Sequence, residues 1–202
     1  MKKLWLLSGL CLALSLQAAK VFFHSDLQEV PQEMKLGRNC FVADGKLSID
    51  GTNGFSSSVI SVPAEGDFIF RFTVTPVKPG IKAGHFGMDL RFKDKSFLKI
   101  YTSGTGGWEA LYSVPERKEI RHTLLKKSPA PTGEETPCIL EFHSDYFTLQ
   151  AGNNLSLRQE LKRDSLTEIL FYGYYWNVDF SRIEVAPLLP EKVSETVKKK
   201  LY

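Results

Sequence analysis

The chain has 202 residues, with 26 Lys and Arg against 23 Asp and Glu. A balance this even, with no clustered basic face, excludes a nucleic-acid-binding surface, and the basic run at 197–200 reads as a solvated tail. The length suffices for one domain with a proper core.

The first element is a leader. Residues 1–19 place Lys2 and Lys3 before an apolar run from Leu4 to Leu16 and then small residues at Ala18 and Ala19, the three-part layout of a secretory signal peptide of bacterial type. The run is shorter than the roughly 20 residues of a membrane span, and no second one follows. Leu10 precedes Cys11 where lipid attachment needs a small residue. The expectation is therefore an exported chain, periplasmic or extracellular, without a membrane span. Removing Lys2 and Lys3 leaves 24 basic against 23 acidic groups.

From residue 20 the hydrophobic pattern is overwhelmingly period two. "NCFVADGKLSID" (39–50) predicts two short strands around Asp44-Gly45, where both turn positions tolerate positive φ. In "GDFIFRFTVTPV" (66–77), Phe68, Phe70, Phe72 and Val74 face one way and Ile69, Arg71, Thr73 and Thr75 the other, as in a strand with one face on a core. "HFGMDLRF" (85–92) sets Phe86, Met88, Leu90 and Phe92 against His85, Gly87, Asp89 and Arg91. "FLKIYTS" and "WEALYSV" flank a glycine-rich loop at 104–107. That loop reads as a hairpin connection, since it lacks the Lys and the helix of a phosphate loop. "EIRHTLLKK" (119–127) is ambiguous. "PCILEFHSDYFTLQAGN" (137–153) predicts a strand, a Ser144-Asp145 turn and a second strand.

The last long segment is "FYGYYWNVDFSRIEV" (171–185). Tyr172, Tyr174 and Trp176 share a parity with Val178 and Phe180, after which the apolar phase flips to Ile183 and Val185. A one-residue flip implies a bulge near Ser181-Arg182 or a second strand. Helical periodicity appears only around 190–201. Ten to thirteen short strands and almost no helix predict an all-β fold, an antiparallel two-sheet jelly-roll sandwich over 20–187 with a short helical or disordered tail at 188–202. Phe68, Phe70, Phe72, Phe86, Met88, Leu90, Leu140 and Phe142 are expected in one core.

With the leader removed, two cysteines remain, Cys40 and Cys138. In an oxidising compartment they are candidates for a disulfide. It would close a long loop and stabilise by roughly 4–5 kcal/mol in the chain-entropy model. The alternative is two buried thiols.

The order of these segments, ending in a strand with apolar positions at Val178, Phe180, Ile183 and Val185, resembles the concanavalin A-like lectin/glucanase sandwich. In particular it is similar to secreted bacterial domains of the 3-keto-disaccharide hydrolase-like kind. The resemblance implies two curved sheets whose concave face often binds carbohydrate. No catalytic residue of the family matches a position here.

Glucanases of that fold carry Glu-x-Asp-x-x-Glu on one strand, because two carboxylates must flank the scissile bond. Here Glu65-Gly66-Asp67 is followed at the third position by Phe70, so the motif is absent. Asp89, Glu109, Glu141 and Asp179 are carboxylates that only a fold could pair. The four histidines show no ligand spacing, so neither metal nor cofactor is expected. The candidate carbohydrate-binding residues are the polar and aromatic strand faces. His85, Asp89 and Arg91 share one face; Tyr101 shares another with Lys99 and Ser103; Trp108 lies with Tyr112; and Tyr172, Tyr174 and Trp176 close the set. The competing readings are a solvated sheet face with Arg–Asp pairs, and burial between the sheets for the last three. The functional reading is a non-catalytic, monomeric glycan-binding protein. The alternatives are a glycoside hydrolase acting on a modified disaccharide or glycoside, and an envelope interaction protein without sugar binding.

Overall fold

The computed structural model describes residues 21–80, 84–103, 107–114, 119–126, 131–152 and 154–188. The expected leader, and all of the expected tail but Leu188, lie outside these residues.

Among the described residues, fifteen strands build two antiparallel sheets. Sheet one runs, in spatial order, β13 (Asn154–Glu160), β12 (Tyr146–Ala151), β11 (Thr136–Phe142), β6 (Phe68–Pro79), β15 (Trp176–Pro187), β4 (Lys46–Asp50) and β3 (Cys40–Ala43), with β1 (Phe23–Ser25) also on β15. Sheet two runs β10 (Glu119–Lys126), β9 (Trp108–Val114), β8 (Phe97–Ser103), β7 (His85–Phe92), β14 (Leu166–Tyr174), β5 (Phe55–Ala64) and β2 (Met34–Leu36). The all-β jelly-roll sandwich is thus the fold that the alternation predicts, with more strands than the pattern resolves. The ambiguous segment at 119–127 supplies an edge strand.

The core lies between the sheets. β6 and β11 pair with Phe70 opposite Leu140 and Phe68 opposite Phe142, so every second residue of both strands points inward. All eight expected core residues lie in one buried cluster. Phe171 of sheet two meets Phe70 and Phe180 of sheet one with ring centroids at 6.1 and 4.8 Å. Such aromatic pairs add about 0.5–1.5 kcal/mol each beyond their burial.

The chain changes sheet inside the aromatic segment. β14 ends at Tyr174 and β15 begins at Trp176, with Tyr175 between them at a φ of 53°. Close backbone approach makes this corner possible. A Cβ on Gly173 would stand 2.4 Å from the Trp176 carbonyl oxygen, and one on Gly51 would stand 2.3 Å from the Gly173 carbonyl oxygen. Further along β15 the register slips between Ser181 and Glu184, and Arg182 has a φ of 53°. That is the bulge expected from the phase flip, and it returns Ile183 and Val185 to the core.

The cysteine pairing is corrected. Cys40 and Cys138 are both free. Cys138 is in β11 and Cys40 in β3, with β6, β15 and β4 between them. Four strand spacings of about 4.8 Å far exceed the ~7 Å Cα separation that a disulfide tolerates. Burial pushes both thiols above their ordinary pKa. Unreduced, denatured protein is therefore expected to alkylate at both positions. In native protein Cys138, the more deeply buried, should react last, because the thiolate is the reactive form. Mass spectrometry of iodoacetamide-treated samples checks this, and a loss of two hydrogens shared by the two peptides would contradict it. No helix among the described residues is long and apolar enough to cross a membrane.

Candidate functional site

The inward face of sheet two is core, so its alternate residues face outward. Strand register fixes which of them meet. His85, Gly87, Asp89 and Arg91 form one outward row on β7. Across β8, Tyr101 stands opposite Gly87 and Lys99 opposite Asp89; across β14, Tyr172 stands opposite Gly87 and Tyr174 opposite His85. Glu109 on β9 lies opposite Tyr101. Phe55, the first residue of β5, lies opposite Tyr174.

These side chains form one cluster around His85. Its ring centroid is 5.4 Å from Tyr101, 5.7 Å from Tyr172 and 5.1 Å from Tyr174. Phe55 stacks on Tyr172 at 5.7 Å. The Lys99 ammonium lies over the same ring, 4.5 Å from its centroid. Tyr172 is accordingly 0% exposed although it belongs to the outward face and not to the core cluster. Tyr174 and Phe55 are the open rings, 37% and 58% exposed.

The polar groups are unusually set. The Tyr101 hydroxyl donates to Glu109 Oε2 at 3.0 Å. Burial, together with that carboxylate, pushes the Tyr101 pKa up to about 12. Burial, helped by the Lys99 charge, lowers His85 below its ordinary value, so the ring is neutral at pH 7. Burial raises the Asp89 carboxyl above its ordinary range, against the pull of Lys99 and Arg91. Asp89 Oδ1 and the Tyr172 hydroxyl are both buried with no hydrogen-bond partner among the described residues. An orphaned buried polar atom costs about 1–3 kcal/mol. Both belong to the outward face, where register makes Asp89 and Tyr172 diagonal neighbours on β7 and β14.

The expected residues divide. His85, Asp89, Tyr101, Tyr172 and Tyr174 come together. Arg91 does not join them: its guanidinium donates to Glu168 Oε2 at 3.1 Å, a surface ion pair of the kind a solvated sheet face carries. Trp108 and Trp176 are corrected out of the set, being 2% and 3% exposed within the core. Trp108 shares the inward parity of Ala110 and Tyr112, and Trp176 packs against Phe86 at 5.2 Å after the chain has crossed to sheet one. Phe55 is the addition, while Lys99, expected on the Tyr101 face, and Glu109, expected only as a carboxylate that a fold could pair, both join the cluster. Phe55 was legible from parity, since Ser56, Ser58, Ile60, Val62 and Ala64 are the inward residues of β5. Glu109 needed the register of three strands.

A separate cavity of about 970 Å³ opens beside Tyr146, Arg158, Arg163 and Asp164. Its arginines are engaged in structure. Arg158 stacks on Tyr146 at 3.6 Å, and Arg163 lies over Phe68 and donates to the Gly66 carbonyl at 2.8 Å. Among the described residues no group of three or more His, Cys, Asp or Glu side chains is placed to hold a metal ion.

No protein-family model and no curated protein sequence matches the chain. Solved structures do. An endo-acting O-glycanase of the human gut microbiota superposes with a TM-score of 0.68 at 8% identity, over 84% of this chain and 100% of that one. The CBM2 module of the evolved Dit protein of Lactobacillus casei BL23 phage J-1 gives 0.60 at 11%, over 83% and 95%. The carbohydrate-binding module CBM66 from Bacillus subtilis gives 0.57 at 12%, over 76% and 95%. At such identities the likeness is one of fold, and the chain is a two-sheet β-sandwich of the architecture these modules share.

Proposed function

We propose that the chain is an exported glycan-binding protein whose ligand lies on the outward face of sheet two. The observation that carries this reading is the pairing of two open rings, Tyr174 and Phe55, beside buried polar atoms that lack partners. An apolar platform next to a few convergent polar groups is the composition of a small-molecule site. A sugar presents an apolar C–H face and hydroxyls at its edge, which matches both halves. The carbohydrate-binding modules among the structural neighbours support the same reading.

The test is a glycan array probed with wild type and with the double variant Phe55→Ala/Tyr174→Ala. Wild type should bind a restricted set of glycans. The double variant should lose at least tenfold in affinity, about 1.4 kcal/mol, with a smaller fall in melting temperature than a core truncation gives, because both rings are partly exposed. An array blank for wild type, or equal binding by the double variant, would refute the proposal.

One observation favours a second reading, a glycoside hydrolase. Asp89, whose carboxyl is raised above its ordinary range by burial, and Glu109 share the outward face, and a glycosidase needs two carboxyl groups flanking the scissile bond. Reducing ends released by wild type and not by Glu109→Gln would favour it; binding without release would leave the non-catalytic reading.

A further inference from the structure

Resting on the glycan reading, we infer that the site recognises an unsubstituted vicinal diol of the sugar through Asp89 Oδ1 and the Tyr172 hydroxyl.

The two atoms are neighbours by register. Tyr172 is opposite Gly87 on the β14–β7 pair, and Asp89 lies two residues further along β7 on the same face. Such diagonal positions are about 7–8 Å apart at the backbone, within reach of one ligand for side chains that lean together. Between them Gly87 contributes no side chain. A Cβ there would stand 2.1 Å from the Ile100 carbonyl oxygen, so the backbone of β8 fills the space beside Gly87 and only glycine fits.

Their chemistry is complementary. An ionised carboxylate oxygen only accepts; a phenol both donates and accepts. Neighbouring ring hydroxyls supply a donor for the first and either partner for the second. A lone hydroxyl would satisfy one atom and leave the other buried and unpaired. Tyr172 is now covered by Phe55, stacked on its ring, and by the Lys99 ammonium, at the end of a flexible stem. Displacing the ammonium costs a cation–π contact of modest strength. It then stands at the rim, where it donates to a further hydroxyl or to the Asp89 carboxylate.

A diol requirement discriminates among polymers. Internal rings of a 1,4-linked glucan, mannan or xylan keep a free 2,3-diol. Internal rings of a linear 1,3-linked β-glucan keep none. Periodate cleaves vicinal diols and spares rings without them.

The experiment is affinity electrophoresis of wild type, Asp89→Asn, Tyr172→Phe and Phe55→Ala/Tyr174→Ala. The gels carry soluble 1,4-linked mannan, xylan or glucan, the same polymers after periodate oxidation and borohydride reduction, or a linear 1,3-linked β-glucan. Wild type should be retarded by at least one intact 1,4-linked polymer, and at least tenfold more weakly by its oxidised form and by the 1,3-linked one. Asp89→Asn and Tyr172→Phe should each weaken retardation tenfold or more. Tyr172→Phe should at the same time raise the melting temperature, since it removes an orphaned hydroxyl and keeps the ring. A purely structural role for Tyr172 would not produce that opposition. Retardation that survives oxidation, or that survives both single variants while the ring double variant abolishes it, overturns the diol and leaves glycan binding standing. Wild type retarded by none of the polymers overturns the diol inference, while binding to other glycans on the array keeps the broader proposal separate.

Discussion

Trp176→Ala is expected to lower the unfolding free energy by about 3–5 kcal/mol, the cost of truncating a buried aromatic. The side chain is fully enclosed, rests on Phe86 and belongs to the same cluster as Val178 and Phe180. It is also the first residue of β15, so its ring closes the end of the sandwich where the chain passes between sheets. Truncation leaves a cavity lined by backbone that cannot collapse, since Gly51, Gly84 and Gly173 already press on the corner. Urea denaturation followed by circular dichroism measures the loss. Glycan binding should fall only as far as the folded fraction does. A change below about 1 kcal/mol, together with lost binding, would restore Trp176 to the ligand site.

Gly173→Ala is the second large effect, about 3 kcal/mol or more, at the upper end of overpacking costs. The new methyl would stand 2.4 Å from the Trp176 carbonyl oxygen, which accepts a hydrogen bond from the Gly51 amide at 2.9 Å. That oxygen is backbone in a hydrogen-bonded corner, so the strain cannot be relieved by rotating a side chain. The corner must open, and Tyr174, one residue away, moves with it. The variant should therefore lose stability and glycan affinity together, unlike the double variant in the two open rings, which loses affinity with a much smaller loss of stability. Thermal melts run beside the glycan array separate the two patterns; a stable Gly173→Ala with normal binding would show that the corner is looser than its contacts imply.

The sequence by itself determined the layers. Strict alternation over Phe68–Val74 and His85–Phe92 can be satisfied only by strands with one buried face, and two such sets of strands bury each other. The same alternation assigned His85 and Asp89 to a face away from Phe86 and Met88, and the phase flip before Ile183 located the bulge. Parity is a local property, so it is legible without a fold. What alternation could not state is which side of a sheet becomes core, or where a chain leaves one sheet for the other. Tyr172, Tyr174 and Trp176 share one parity, yet Tyr175 turns the chain between sheets, so the tyrosines face outward and the tryptophan inward. The corner depends on contacts between Gly51, Gly173 and Trp176, residues more than a hundred positions apart at the extremes. Trp108 and Tyr112 look like a sugar platform in isolation, and they are core because β9 presents that side to sheet one. The separation of Cys40 from Cys138, and the meeting of Tyr101 with Glu109, were likewise decided by strand order and register. Both are set by the packing of the whole sandwich, where the free energy of burying one face outweighs any local preference of the residues it carries.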